Sequence, residues 1–184
     1  DTTASEMSEN VSPVIGSSSS PSSSSHSSYL YAAHLAMLLT GADRISEAKA
    51  VVEASREFAQ IQRASSNSFG RFAADVGVAL CEGMQAALDD PAAAANILRP
   101  IRHHVDVVGG SFLHRDMIQW LLIDCCIRSE DVVWGRAISQ ERVAKSPGSA
   151  HAWRLHAEIL HATGNFAEAV KINLSQINLS RPCI

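Results

Sequence analysis

The clearest pattern in the chain lies in residues 151–182, which read HAWRLHAEILHATGNFAEAVKINLSQINLSRP. Apolar residues recur there every three or four positions on either side of Gly164-Asn165. Residues with that spacing share one face of a helix, so the stretch predicts two amphipathic helices joined by a tight turn. One hairpin cannot cover its own apolar faces, so it needs similar neighbours, as in a helical-repeat protein.

Similar apolar spacing predicts three further hairpins upstream. Six more helices are expected, at residues 29–40, 45–64, 69–88, 91–105, 112–127 and 130–144. The hairpins begin near Tyr29, Phe69, Phe112 and Ala150, a period of roughly 40 residues that is typical of helical solenoids. The predicted fold is therefore all-α, an α-α superhelix of about four helical hairpins, with one repeat domain over residues 29–182.

Residues with special backbone preferences refine these helices. Good N-cap residues precede five of them: Ser28, Asp90, Ser111, Ser129 and Ser149. Pro100 lies inside the fourth helix and should kink or split it. Gly77 and Gly83 lie in the third, where they either weaken the helix or let a neighbour approach closely. On the fifth helix the predicted buried line is Met117, Trp120, Leu121 and Cys125.

Composition limits the classes of function. The 184-residue chain is 46% hydrophobic, carries a net charge of −4 and shows no basic patch, which argues against nucleic acid as a partner. No apolar run approaches the roughly 18 residues of a membrane span. The cysteines have no disulfide-scaffold or zinc-site spacing, so we expect reduced thiols packed in a cytoplasmic helical core.

The two ends of the chain carry separate expectations. Residues 1–28 are rich in serine and poor in apolar side chains, so we expect a disordered segment that serves as a linker or loop insertion, or as a phosphorylated tail. The first residue is Asp1 rather than Met, which indicates a fragment or a processed form. We see no signal peptide within this stretch.

The last hairpin resembles a tetratricopeptide repeat. The matching positions are Trp153, Ala157, Leu160, Gly164, Phe166, Glu168 and Ala169. The resemblance implies that Ala157 lets the paired helix approach while Trp153 and Phe166 fill the space beside it. His156 departs from the pattern, because that position usually holds leucine.

A narrower resemblance covers much of the chain from Leu98 onward. It is similar to the C-terminal part of the tetratricopeptide repeat protein 38 family. The residues that carry this likeness are Pro100, Arg102, Gly109, Gly110, Ser111, Arg115, Asp116, Glu141 and Arg142. The likeness implies an α-helical repeat protein without assigned catalytic residues, and it supplies no ligand.

Two short motifs suggest chemistry that the rest of the chain does not support. His114-Arg115-Asp116 spells the catalytic triplet of protein kinases, but Leu121 stands where the required asparagine belongs. Glu158 and His161 have the Glu-x-x-His spacing of di-iron bundles, which need a second such pair. Arg115 and Asp116 are better explained as a cap or bridge at the start of the fifth helix. We therefore expect no enzyme activity, no metal and no cofactor.

One polar stripe on the seventh helix is the candidate binding site. His151, Arg154, Glu158 and His161 recur there at helical spacing, opposite the apolar residues. The stripe is either a solvated face or part of a concave groove, because the first helix of each tetratricopeptide pair lines that groove. Glu158 would repel a carboxylate, which argues against a clamp for acidic C-termini.

The leading functional hypothesis is a non-catalytic scaffold that binds protein or peptide partners through its concave face. The alternative is a piece of an enzyme, or of an enzyme-associated subunit, whose chemistry lies in sequence upstream of this stretch. A further alternative is that the repeats serve mainly to form a homo-oligomer.

Overall fold

The computed structural model describes residues 24–64 and 68–179, and these ranges contain helices and no strand. The eight α-helices within them are α1 (Ser24–Gly41), α2 (Ile45–Ala64), α3 (Ser68–Ala86), α4 (Pro91–Ile101), α5 (Phe112–Arg128), α6 (Val132–Lys145), α7 (Ala150–Ala162) and α8 (Phe166–Leu179). The all-α prediction is confirmed. The disorder predicted for the N-terminal segment falls largely on residues 1–23, which lie outside the described residues.

The helices pack mainly against their neighbours in sequence. Each helix contacts the next, and in addition α1 packs against α3 and α5 against α7. A short 3₁₀ helix, η1 (Val105–Val108), follows α4 and packs against α1 and α3. One hydrophobic core runs from α1 to α7, and a smaller cluster joins α7 to α8. None of the described helices is both long enough and apolar enough to cross a bilayer.

Small residues bring the first four helices close together. Gly77 of α3 faces the ring of Tyr29 on α1, where an added Cβ would lie 2.3 Å from a ring carbon. Gly83 faces Leu98 of α4, where the corresponding distance is 2.5 Å. The sequence allows these glycines either to weaken the helix or to let a neighbour approach closely. The structure shows the close approach.

Three of the predicted caps are confirmed. Asp90 accepts a hydrogen bond from the Ala93 backbone N–H at 2.9 Å, with Pro91 at the first helical position. Ser149 similarly accepts from the Ala152 N–H at 3.2 Å, and Ser111 is the N-cap residue of α5. The Asp90 and Ser149 side chains satisfy N–H groups that a helix leaves without partners in its first turn.

Two caps are placed differently from the prediction. Helix α1 begins at Ser24, so Ser28 lies inside the helix rather than before it. Ser129 ends α5, and the chain then takes a left-handed turn at Glu130 before α6. Asp131 caps α6 instead, because it is the next favoured N-cap residue after that turn.

Proline ends the fourth helix one residue after its own position. Helix α4 stops at Ile101, immediately after Pro100, and η1 follows instead of further α-helix. The predicted interruption is confirmed. Val105, which the sequence pattern assigns to the α4 stripe, is buried as the first residue of η1.

The buried line predicted for α5 is confirmed in part: Cys125 is fully buried, and Trp120 and Leu121 pack half-buried against the core. The fully buried residues of this helix are Ile118, Leu122, Ile123, Cys125 and Cys126, of which only Cys125 belongs to that line. The three other predicted residues, Met117, Trp120 and Leu121, are half-buried. Helix α5 is apolar on several sides, so helical periodicity alone cannot identify the face that packs on the core.

The last hairpin follows the expected packing except at Phe166. Ala157 and Leu160 of α7 pack with Ala169 of α8, and Trp153 lies against this cluster. Phe166 is 55% exposed and contacts the His161 ring edge-on instead of filling the space beside Ala157. It is the first residue of α8, where the side chain lies at the edge of the helix pair.

Candidate functional site

Three of the four stripe residues on α7 lie together, and the fourth is separate. The Arg154 Nη2 atom donates a hydrogen bond to His151 Nδ1 at 3.0 Å. The Arg154 guanidinium also lies 3.7 Å from a Glu158 carboxylate oxygen. His161 is exposed and packs on Phe166 of α8, with ring centroids 4.8 Å apart. The stripe is therefore a trio of His151, Arg154 and Glu158.

His151 connects this trio to an apolar cavity. Its ring lies against the ring of Trp120 on α5, with centroids 4.1 Å apart. Beside the two rings is a cavity of about 290 Å³, which we call the methionine cavity. It is lined by Met37, Met84, Met117, Ile118, Trp120, Leu121, Asp124, His151 and Leu155.

The methionine cavity is formed only by the odd-numbered helices. Met37 comes from α1, Met84 from α3, Trp120 and its neighbours from α5, and Leu155 from α7. Helices α1 and α3 pack together, as do α5 and α7, whereas α3 and α5 are less closely packed. The cavity lies where these two groups of helices meet, so no single hairpin contains it.

Two buried polar atoms beside the cavity have no partner among the described residues. They are Trp120 Nε1 and His151 Nε2. An arginine side chain can only donate hydrogen bonds, so His151 Nδ1 is the acceptor from Arg154 and the neutral ring carries its proton on Nε2. Burial, with smaller contributions from Arg154 and Arg142, lowers the pKa of His151 and favours that neutral ring. Both unpartnered atoms are therefore N–H donors.

The charges around these rings are balanced in pairs. The Arg142 guanidinium lies 5.3 Å from the centroid of the Trp120 ring and binds Asp116 with an N–O distance of 2.7 Å. Arg154 lies beside Glu158, as described above. The surroundings of the two donors therefore combine apolar side chains with neutralised ion pairs.

A second, polar cavity of about 510 Å³ lies among η1, α5 and α6. It includes several residues that carry the resemblance to the tetratricopeptide repeat protein 38 family. Arg102 binds Glu141 at 2.7 Å, and Asp116 of α5 binds Arg142 of α6. Asp116 thus bridges two helices, one of the two roles predicted for it. These pairs connect α4, α5 and α6, and we assign the cluster a structural role.

The reactive residue types lie in unreactive settings. Cys81, Cys125 and Cys126 are buried free thiols, and burial raises the pKa of each to about 11. The expected packing of these three as core residues is confirmed. Cys183 lies outside the described residues. Within residues 24–64 and 68–179, no group of three or more His, Cys, Asp or Glu side chains has the arrangement of a metal site.

Comparisons with known proteins add no identification. No protein-family model, curated protein or solved structure matches this chain. The resemblance to tetratricopeptide repeats therefore stays a prediction from the residues that carry it.

Sequence reasoning found His151 but missed the cavity beside it. Met117, Trp120 and Leu121 share one face of α5 with Asp124, and these three residues were predicted, together with Cys125, to be the buried line of the helix. The useful signal is a second apolar face, through Ile118 and Leu122, which supplies fully buried core contacts of this helix. A helix with two apolar faces needs two apolar environments.

Proposed function

We propose that this chain is a tetratricopeptide-like helical-repeat scaffold that binds a peptide segment of a partner protein on the face formed by its odd-numbered helices. The observation that carries the proposal is the methionine cavity, which opens among α1, α3, α5 and α7. Because the first helix of each tetratricopeptide pair lines the concave groove, the cavity would lie on the binding face of such a superhelix.

The setting of the cavity fits a protein interface. Interfaces that bind specifically combine an apolar centre with a polar rim. Here the apolar centre is the methionine cavity, and Arg154 and Glu158 are exposed beside it. A volume of about 290 Å³ lies at the lower end of the range for ligand sites, which suits a single anchoring side chain. The buried free thiols fit a reducing compartment, so we place this function in the cytoplasm.

Selection from a library of displayed linear peptides tests the proposal. The library is selected against the full chain, and the affinity of an enriched synthetic peptide is then measured for wild type and for Met117→Trp. The larger tryptophan would occupy the cavity, so we expect binding at least about tenfold weaker, which corresponds to about 1.4 kcal/mol.

The control is Val133→Trp, which places the same side chain at a 76% exposed position on α6. This variant should bind the peptide as the wild type does. Failure to enrich any peptide would contradict the proposal, as would equal affinity for Met117→Trp and wild type. A circular dichroism melt of each variant verifies that it is folded before binding is compared.

The stripe trio makes a smaller, additional contribution in this proposal. Arg154 and Glu158 are exposed and already paired with each other, and such pairs are worth at most about 1 kcal/mol. The double variant Arg154→Ala with Glu158→Ala should therefore reduce the affinity for the selected peptide by less than Met117→Trp does. The same affinity measurement provides the comparison.

A further inference from the structure

We infer that the polar cavity among η1, α5 and α6 binds a carboxylate group, which pairs with the guanidinium of Arg115. This inference rests on the proposed peptide-binding function and adds a second contact with the same partner. The occupant is an aspartate or glutamate side chain of the bound peptide, close in sequence to the apolar residue that enters the methionine cavity.

Arg115 lies on the face of α5 that borders the polar cavity. The residues of α5 that line this cavity have spacings that place them on one helix face, and they are Phe112, Arg115, Asp116 and Gln119. Asp116 binds Arg142 of α6 at 2.7 Å, and Gln119 Nε2 donates a hydrogen bond to the carbonyl of Arg102 at 2.8 Å. These neighbours of Arg115 therefore contact other walls of the same cavity.

Arg115 differs from the other permanent cations of this cavity in its pairing. The others form the pairs Arg102–Glu141 at 2.7 Å, Lys145–Glu141 at 2.6 Å and Arg142–Asp116 at 2.7 Å. Arg115 is half-buried and forms no ion pair with any residue that the structure describes. Loss of hydration without a counter-ion is unfavourable for a guanidinium, and a carboxylate can accept two parallel hydrogen bonds from it.

The charges that line the cavity favour an occupant with a single negative charge. The carboxylates are Asp106, Asp116 and Glu141, and the cations are Arg102, Arg115, Arg142 and Lys145. With histidine counted as neutral, the lining has one positive charge in excess, although the whole chain has a net charge of −4. A carboxylate balances that charge, whereas a dianionic phosphate exceeds it and meets three carboxylates. The volume of about 510 Å³ has room for an acidic side chain.

The polar cavity and the methionine cavity are neighbours. Arg142 lines the first, and its guanidinium lies 5.3 Å from the ring centroid of Trp120, which lines the second. One short peptide segment can therefore place an apolar side chain in one cavity and an acidic side chain in the other. The ion pairs of Arg102 and Arg142 hold the polar walls in place before binding, which lowers the cost of ordering the site.

A matched pair of small probes tests the inference without a selected peptide. N-acetylglutamate α-methylamide carries a carboxylate, and the corresponding glutamine compound carries a neutral amide of the same shape. Each is titrated at constant ionic strength into ¹⁵N-labelled full chain while the side-chain Nε–H signal of Arg115 is followed. We expect the glutamate compound to shift this signal to saturation, with an affinity at least about tenfold higher than that of the glutamine compound. Inorganic phosphate is the third probe and should bind more weakly than the glutamate compound.

Two variants separate a specific pair from a general effect of charge. Arg115→Gln should bind the glutamate compound at least about tenfold more weakly than wild type, measured from the backbone N–H signal of Asp116. Arg71→Gln is the control, because Arg71 is exposed on α3, lines neither cavity and forms no ion pair among the described residues. It changes the net charge by the same amount and should bind as wild type does.

Several results would overturn the inference. They are equal affinity for the glutamate and glutamine compounds, an Arg115 signal that does not move, tighter binding of phosphate than of the glutamate compound, and an equal loss of affinity in the two variants. The first three are measured on the wild-type chain, so they do not depend on the folding of a variant.

A selected peptide distinguishes this inference from the proposed function. If the peptide binds in the methionine cavity but binds Arg115→Gln as tightly as wild type, peptide binding stands and the carboxylate site fails. If the glutamate compound shifts the Arg115 signal but no peptide is ever enriched, the carboxylate site stands and the peptide-binding function fails.

Discussion

Gly77 lies where α3 meets the ring of Tyr29 with no space for another carbon. Tyr29 is 2% exposed and also packs against Phe58 of α2, so its ring cannot move aside easily. We predict that Gly77→Ala lowers the free energy of unfolding by about 1–3 kcal/mol, because the added methyl overpacks the core. Urea denaturation followed by circular dichroism measures the change.

The sign of this effect is informative because alanine is the better helix former. In an exposed helix, the same substitution would stabilise by up to about 1 kcal/mol. Gly148→Ala is the control, since an added Cβ there meets nothing within 4 Å. Its stability should stay within about 0.5 kcal/mol of wild type. A Gly77→Ala variant as stable as the control would mean that α1 and α3 are not in close contact.

At the scale of single helices, much of the fold is predictable from the sequence. Apolar spacing locates the eight described helices, and Asp90 and Ser149 cap the helices that they precede. What the sequence does not resolve is the orientation of α5. Met117 and Ile118 lie on different apolar faces of that helix, and only the positions of α1, α3 and α7 determine which face borders the cavity.

Helices α4 and α6 are connected by charge as well as by the core. Glu141 of α6 accepts hydrogen bonds from Lys145 at 2.6 Å and from Arg102, which follows α4, at 2.7 Å. These bonds, the Lys145 bond foremost, lower the pKa of Glu141 from its ordinary 4.5 to about 2. A carboxyl with a lowered native pKa stabilises the fold above its unfolded pKa and loses that contribution as pH falls.

We predict that Glu141→Gln is less stable than wild type at pH 7 and that the difference shrinks below about pH 4.5. The contribution should be lost progressively towards pH 2, the native pKa. Urea denaturation at a series of pH values measures it. Lys145→Met leaves the Arg102 bond in place, so its pH dependence should be intermediate. A constant stability difference across this pH range would contradict the assigned ion pairs.

At the scale of the whole molecule, the cavity depends on how the two groups of helices are joined. Pro100 stops α4, and η1 then packs against α1 and α3 instead of continuing the helix. Helix α5 accordingly packs on α4, α6 and α7 rather than closely on α3. The interruption at Pro100 can be predicted from the sequence. The space between α3 and α5 cannot, because it depends on packing between helices that are distant in sequence.

The central claim is that the odd-numbered helices bind peptide at the methionine cavity. The NMR chemical shifts of the methionine methyl groups test it most directly. The chain has four methionines, of which Met37, Met84 and Met117 line the cavity. A ¹³C-methyl-methionine spectrum of the full chain is recorded during titration with the selected peptide. The account predicts that these three signals shift together and saturate at the peptide's affinity. Binding that leaves all three unmoved would contradict it.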